Sequence, residues 1–493
     1  MPRTRRLLRD EQITYSVAQE QETNILHQLG YPEQQSRFFA HLHARQDWMK
    51  AIVAHHLGLH TSAVCHVADE AHWLSGSFNV FVPVTIDGWN GTRVLIRFPL
   101  PYRVGESVRP GNGDEKIRCE AGTYAWLQEN CSDIPIPCLY GFALSTGETF
   151  TRLESLPIPT RSYQVLRRRI LTWLGYPVSK YVRHQIANHT TLDGVVGSGY
   201  LLVEYIEETQ GQMLSGTWVN GQHNAKLRRN LFRANRPLSM EVHQLENENI
   251  PTYIPRDYTY STVDSYITDM LSLHDSRFRH QPNAINDLGD CGYQLSALST
   301  MRTIFSSLFR RDFRRGPFSL TLTDLHQSNI FVDAEWNITC LVDLEWACSM
   351  PMEMISPPHW LTNKAVDQLD AAEYDAVRME FMKALVAEEK ERELKSTALG
   401  MVGNSEAVPR LSDVMSQAWA TGTFWYTLAL SSPSGLFSIF HKHVRPLFCA
   451  NYGEEFNLIM PFFWERNIGY IAARKLSDKR EYDERLRQTF EDN

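Results

Sequence analysis

The sequence predicts an α+β protein of two lobes, a small and mainly β N-lobe and a larger helical C-lobe, with a helical N-terminal extension ahead of both. Three observations lead there. "NVFVPVTI", "RVLIRFPL" and "YLLVEYIEE" are β-branched runs bounded by Gly, Pro and Asp, which is how strands read, and the helical "EKIRCEAGTYAWLQEN" (115–130) lies between the second and the third. After Glu208 a helical period takes over. Into that helical half intrudes one polar stretch, "SLTLTDLHQSNIFVDAEWNITCLVDLEW", whose acids and amides sit on turns between apolar strand pieces.

Taken in order, residues 1–70 form the helical extension, with "QSRFFAHLHARQDWMKAIVAHHLGL" its clearest helical segment. The N-lobe runs over 71–208 and carries an insertion around 147–200, containing "LPIPTRSYQVLRRRILTWLGYP", which either covers the crevice or packs against the cap. The C-lobe runs over 209–475, with helices at 238–247, 261–274 and 290–310, two short strands in the polar stretch, and helices from 365 onward. The charge run "AEEKERELK" (387–395) reads as a solvated helical face, and 476–493 as a charged tail. Two such lobes leave a crevice between them, the usual place for a ligand.

Composition narrows the function classes. With 43% hydrophobic and 22% charged residues in 493, the chain is an ordinary globular protein. A net charge of −8 argues against a nucleic-acid partner bound through phosphates. Arg167–Arg169 and the Arg310–Arg315 cluster read as solvated or salt-bridged surface. Eight cysteines without a C-x-x-C pair suit free thiols in a reducing compartment. No apolar h-region and no membrane-length apolar run is present, so the expectation is a cytoplasmic protein without a membrane partner.

The polar stretch carries the chemistry. Asp324 and Asn329 are five residues apart, and Asp343 follows after a strand. A carboxylate, an amide and a second carboxylate on adjoining loops are suitable parts for phosphoryl transfer: one acid accepts the proton of an attacking hydroxyl, while the amide oxygen and the other acid hold Mg²⁺. The competing reading is a plain hairpin with polar turns, although "DLHQSN" lacks the Gly of a short hairpin turn. Other clusters carry less. His56 and His60 have i,i+4 spacing for zinc, but Gly58 interrupts the helix and no third ligand follows. "GVVGSGY" (194–200) reads as a turn, His274-Asp275 as a helix C-terminal feature, and His326 as either a substrate contact or a hydrogen bond within its loop.

"LTDLHQSNIFVD" and "LVDLEWA" resemble the core motifs of the aminoglycoside phosphotransferase and choline kinase-like family, and the wider stretch is similar to a fungal branch of it. The resemblance covers about residues 70–365 and implies a protein-kinase-like fold, ATP and Mg²⁺ as cofactors, and a small-molecule acceptor bearing a hydroxyl. It implies Asp324 as catalytic base, Asn329 and Asp343 as Mg²⁺ ligands, and Glu345 as a supporting residue near the metal. Upstream, "RVLIRFP" and "KIRCEAGTYAWL" match the strand and helix of the phosphate-gripping pair, here Arg97 and Glu120. "WLSGSFNVF" takes the place of the nucleotide-covering loop, with Gly76 and Ser77, and "LLVEYIEE" that of the adenine-binding linker, with Glu204, Tyr205 and Ile206.

Two departures from the family pattern matter. Leu322 stands where the family has the His of H-G-D, and Arg97 where it has Lys. An Arg fork can bridge phosphates and pair with a carboxylate, but its shape differs from an ammonium. A catalytically silent nucleotide-binding scaffold is therefore the alternative to an active small-molecule kinase. A kinase of polypeptides fits poorly, because "DLEW" replaces D-F-G and no A-P-E segment follows.

Overall fold

The computed structural model describes residues 3–59, 64–89, 93–131, 133–176, 178–185, 199–207, 209–214, 236–398, 409–432, 435–449 and 453–491. Among them the chain forms two lobes of mixed α and β structure, a β-rich N-lobe and a helical C-lobe. A short hairpin of β1 (Thr4–Arg6) and β2 (Gln12–Thr14) precedes them. The main sheet comprises β3 (Cys65–Val67), β4 (Leu74–Ser75), β5 (Asn79–Ile86), β6 (Arg93–Pro99), β7 (Leu139–Ala143), β8 (Glu148–Arg152), β9 (Tyr181–Gln185) and β10 (Tyr200–Glu204). Its order is β3-β5-β6-β10-β7-β8-β9, antiparallel throughout, with β4 paired to β5.

Successive side chains of a strand point to opposite faces, and β10 and β6 use both. Tyr200 and Leu202, with Val94, Ile96 and Phe98, join a core completed by Phe38, Leu42, Met49, Ile52 and Val53 of helices Tyr31–His43 and Gln46–Leu57. Leu201 and Val203 instead pack with Ile117, Ala121 and Tyr124 of helix Asn112–Asn130. The extension is thus a layer of the lobe itself, held by buried side chains worth about 1.5–3 kcal/mol each. The same alternation turns Arg97, between Ile96 and Phe98, toward helix Asn112–Asn130.

The insertion extends the sheet through β8 and β9 and packs against the extension. The Ser155 carbonyl lies 2.7 Å from where a Cβ on Gly58 would stand, and Gly58 has φ +63°, so this contact and this turn both require glycine. Residues 194–198 of "GVVGSGY" and His60 lie outside the described residues.

In the C-lobe, helices Val263–His280, Leu288–Leu308 and Thr423–Leu430 enclose a core including Leu271, Leu295, Leu298, Met301, Tyr426 and Phe440. His274 lies inside its helix, not at the C-terminal end, and faces the Leu430 carbonyl at 2.8 Å. The 476–491 segment continues helix Ile468–Glu491 and lays Tyr482, Leu486 and Phe490 on Ile13, Ala18 and Ile25, which joins the two ends of the chain. Where two strands are expected, the polar stretch holds three, β12 (Phe318–Leu322), β13 (Ile330–Val332) and β14 (Ile338–Leu341), and a fourth, β15 (Ala347–Pro351), follows directly after it. β13 and β14 form the expected hairpin, which β11 (Gln212–Met213) extends, while β12 pairs with β15.

Candidate active site

Strand register assembles the site. Leu322 faces Ala347 across β12 and β15, and Ile330 faces Leu341 across β13 and β14. The segments 323–329 and 342–346 therefore cross between the same two ladders in opposite chain directions and must run side by side. The Val342 amide donates to the Asn329 carbonyl at 2.9 Å, and Thr323 Oγ1 donates to the Trp346 carbonyl at 2.5 Å. This brings Asp324, Asn329, Asp343 and Glu345 together. The carboxylates of Asp324, Asp343 and Glu345 offer ligand atoms that all lie within 4.8 Å of one another.

Each loop has a local device. Asn329 Nδ2 donates to the Asp324 carbonyl at 2.8 Å, so the amide nitrogen ties the loop and Oδ1 is left as an acceptor. Asp343 has φ +60°, a left-handed conformation that Asp tolerates better than most residues and that recurs at functional sites. Leu322 packs with the core that contains Leu341 and Leu344. Loop geometry is held instead by the Thr323 bond, by the Leu325 amide on the Leu322 carbonyl at 3.3 Å, and by Trp360 Nε1 on the Leu325 carbonyl at 2.6 Å.

Arg97 closes the site from the N-lobe. One guanidinium nitrogen meets Glu120 at 2.5 Å, and another contacts both Asp343 and Glu345. Arg97 is 3% exposed and Glu120 fully buried, so this fork works at low dielectric. Sequence reasoning missed a second cation. Lys116, on the same helix as Glu120, is buried and contacts Glu345 with its ammonium, while donating to Asn79 Oδ1 at 2.6 Å. Asn79 Nδ2 in turn donates to Glu345 at 2.8 Å. Lys116 and Glu120 have i,i+4 spacing and so share a helix face, a signal the sequence does carry.

The helix bearing both residues is anchored to the C-lobe by another unexpected network. Arg236 bridges Glu115 at 2.8 and 2.9 Å and Glu246, of helix Met240–Asn247, at 2.8 and 3.1 Å. Thr252 and Asn112 also donate to Glu246, at 2.8 and 2.9 Å. A buried charge network fully supplied with hydrogen bonds fixes orientation more than it adds net stability.

Electrostatics divide the carboxylates. Burial pushes the Asp324 carboxyl up to about 7, and the neighbouring Asp343 and Glu345 charges add to the rise. Burial acts upward on Glu345 too, but Lys116 and Arg97 outweigh it and hold the group well below the usual carboxylate range. Burial raises Asp343, with Arg97 opposing. When all four carboxylates (Asp324, Asp343, Glu345 and Glu120) are ionised, the two cations leave the cluster with a deficit of positive charge. With that deficit, the three convergent carboxylates of Asp324, Asp343 and Glu345 could hold a metal ion.

The remaining site residues of the sequence reading lie on the N-lobe. Gly76 and Ser77 form the turn between β4 and β5, where the Gly76 amide donates to the Asn79 carbonyl at 2.9 Å and Ser77 accepts from Arg103 at 2.8 Å. Glu204 ends β10 and caps Cys138: its amide donates to the Cys138 carbonyl at 2.9 Å and its carboxylate accepts from the Cys138 amide at 3.0 Å. The Tyr205 ring lies under the Arg93 guanidinium at 4.0 Å, and Tyr205 and Ile206 leave the sheet as extended chain.

Outside this cluster, His56 is buried and bonds Tyr200 at 3.0 Å and Thr151 at 2.8 Å, so both ring nitrogens are engaged within the N-lobe. His326 bonds Ser328 at 2.7 Å, within its own loop. All eight cysteines are free thiols. No helix among the described residues is long and apolar enough to cross a membrane.

No family model and no curated protein matches the chain. Among solved structures it is similar to a Plasmodium vivax ethanolamine kinase, at 11% identity, TM-score 0.31 and 81% coverage of each chain. It is also similar to a macrolide 2′-phosphotransferase type I, at 12% identity and TM-score 0.26, covering 77% of this chain and 90% of the other. Likenesses this remote carry no argument about family or activity.

Proposed function

We propose that the chain is an ATP-dependent phosphotransferase that moves the γ-phosphoryl group to a hydroxyl of a small molecule. The observation that carries the reading is the meeting of half-buried Asp324 and Asp343 with buried Glu345 and the buried Arg97–Glu120 pair in one cluster. ATP lies between the lobes, with adenine against the main chain of Glu204, Tyr205 and Ile206 and the phosphates under the Gly76–Ser77 turn. Arg97, steered by Glu120, grips phosphate oxygens. Asn329 and Asp343 would hold Mg²⁺, with Glu345 as a supporting residue. The metal, when bound, neutralises charge on the transferred phosphoryl group.

The chain's own part is positioning and proton transfer. Asp324 accepts the hydroxyl proton of the acceptor as the acceptor oxygen bonds to the γ-phosphorus and the bond to the bridging β–γ oxygen breaks, releasing ADP. A carboxyl lifted to about 7 is well matched to that task near neutral pH. The test is a metabolite extract incubated with ATP and protein, scanned for a compound that gains one phosphate. Wild type yields it and Asp324→Ala does not; equal yield from both rules Asp324 out as the base.

A second reading, a silent nucleotide-binding scaffold, is favoured by one specific observation. Arg97 already contacts both Asp343 and Glu345, which puts a cation between the two acids. Binding of Mg-ATP without any phosphorylated product in the same extract selects this reading.

A further inference from the structure

Helix Ile158–Trp173, in the insertion, has no role in the site and buries none of its residues. Its exposed apolar side chains form one stripe: Tyr163, Leu166, Ile170, Trp173 and Leu174, with Trp173 85% and Leu166 60% exposed. At 3.6 residues per turn they occupy an arc roughly 100° wide. Arg169 stands on one margin of the arc and Arg167 on the other, both exposed, and neither has an ion pair among the described residues. Arg168 points the opposite way and donates to the Tyr181 carbonyl at 3.0 Å, which seats the helix on β9. From Pro157 to Tyr176 the sequence contains four Arg and no acid, in a chain of net charge −8. An open hollow of about 500 Å³ along the helix is lined by Leu153, Val165, Thr172 and Trp173, together with Arg168 and Arg169.

We infer that this helix is a membrane-surface anchor that docks the protein flat on an anionic lipid bilayer. The apolar arc enters the boundary between headgroups and acyl chains. Arg167 and Arg169 reach sideways to lipid phosphates, as long basic side chains do at such a boundary. Trp173 and Tyr163 suit the same depth, with an apolar ring and a polar edge. Charge complementarity selects the anionic lipid: the segment Pro157–Tyr176 carries four Arg and no acid, where the chain as a whole is negative. This peripheral contact departs from the sequence-based expectation of no membrane partner, which rested on the lack of an apolar run long enough to span a bilayer and does not bear on a surface helix.

The test is flotation of the full chain with vesicles of phosphatidylcholine alone or mixed with phosphatidylserine. The protein floats with the mixed vesicles and not with the neutral ones, and added salt releases it. Leu166→Glu/Trp173→Glu abolishes flotation. Arg167→Gln/Arg169→Gln weakens it by about fivefold per arginine. These side chains are exposed, so the variants fold, and an unchanged thermal melt verifies that. Equal flotation with neutral vesicles, no flotation with either, or unaltered flotation of the Leu166/Trp173 variant overturns the inference. So does a wild-type dimer in sedimentation that the Leu166/Trp173 variant breaks, because a second copy then covers the stripe.

Discussion

Lys116 and Glu120 stand one helical turn apart and hold the two arms of a single buried ion cluster, Lys116 through Glu345 and Glu120 through Arg97. Glu345 also touches Arg97, so the helix, β6 and the 342–346 segment are joined by charge at low dielectric.

Lys116→Met should destabilise the protein by about 3–5 kcal/mol, because Glu345 stays buried and loses a cation. In a Glu345→Gln background the same change should cost much less. Urea unfolding of the two single variants and the double variant measures the coupling.

Asp324 makes stability depend on pH in an unusual direction. Its folded carboxyl is raised to about 7 from an ordinary 3.8, so the folded state holds the proton more tightly than the unfolded chain. Stability from this group is complete below the unfolded value and is lost as pH rises toward 7. Asp324→Asn should therefore stabilise the metal-free protein at pH 8, by about 1–2 kcal/mol, and have little effect at pH 4. Thermal melts at the two pH values check this, and Mg²⁺ should shrink the gain because it favours the charged carboxylate.

Arg97→Lys keeps a cation but not the fork that reaches Glu120, Asp343 and Glu345 together. It should keep ATP affinity within about tenfold, whereas Arg97→Met should remove ATP binding and cost about 3–5 kcal/mol of stability. Calorimetric titration with Mg-ATP, alongside a melt of each variant, separates the two effects.

Arg236→Met should loosen the helix that presents Lys116 and Glu120, since Glu115 and Glu246 then lose their shared partner. The expected loss is again about 3–5 kcal/mol. Hydrogen exchange should rise across helix Asn112–Asn130 while the C-lobe core Leu288–Leu308 stays protected.

The sequence made the two-lobed layout legible because it is written locally: β5, β6 and β10 are short apolar, β-branched runs between turn residues, whereas helix Asn112–Asn130 keeps a helical period. It also brought out Asp324, Asn329 and Asp343, whose spacing around one hairpin is itself local. Lys116, Asn79 and Arg236 were harder to see, because a Lys or Arg on an amphipathic segment looks like solvated surface until tertiary packing buries it. Helix Ile468–Glu491 read as partly a charged tail for a related reason. Tyr482, Leu486 and Phe490 are an apolar stripe only in relation to Ile13 and Ile25, at the other end of the chain.

The central claim is that Asp343 and its neighbours form a site for Mg-ATP. The most direct measurement is calorimetric titration of ATP into the wild type and into Asp343→Asn, each with and without Mg²⁺. Asn tolerates the φ of +60° at this position, so the variant keeps its backbone. The account predicts binding by the wild type that requires Mg²⁺ and that Asp343→Asn loses. Binding that ignores Mg²⁺, equal binding by both proteins, or no binding by the wild type would contradict it.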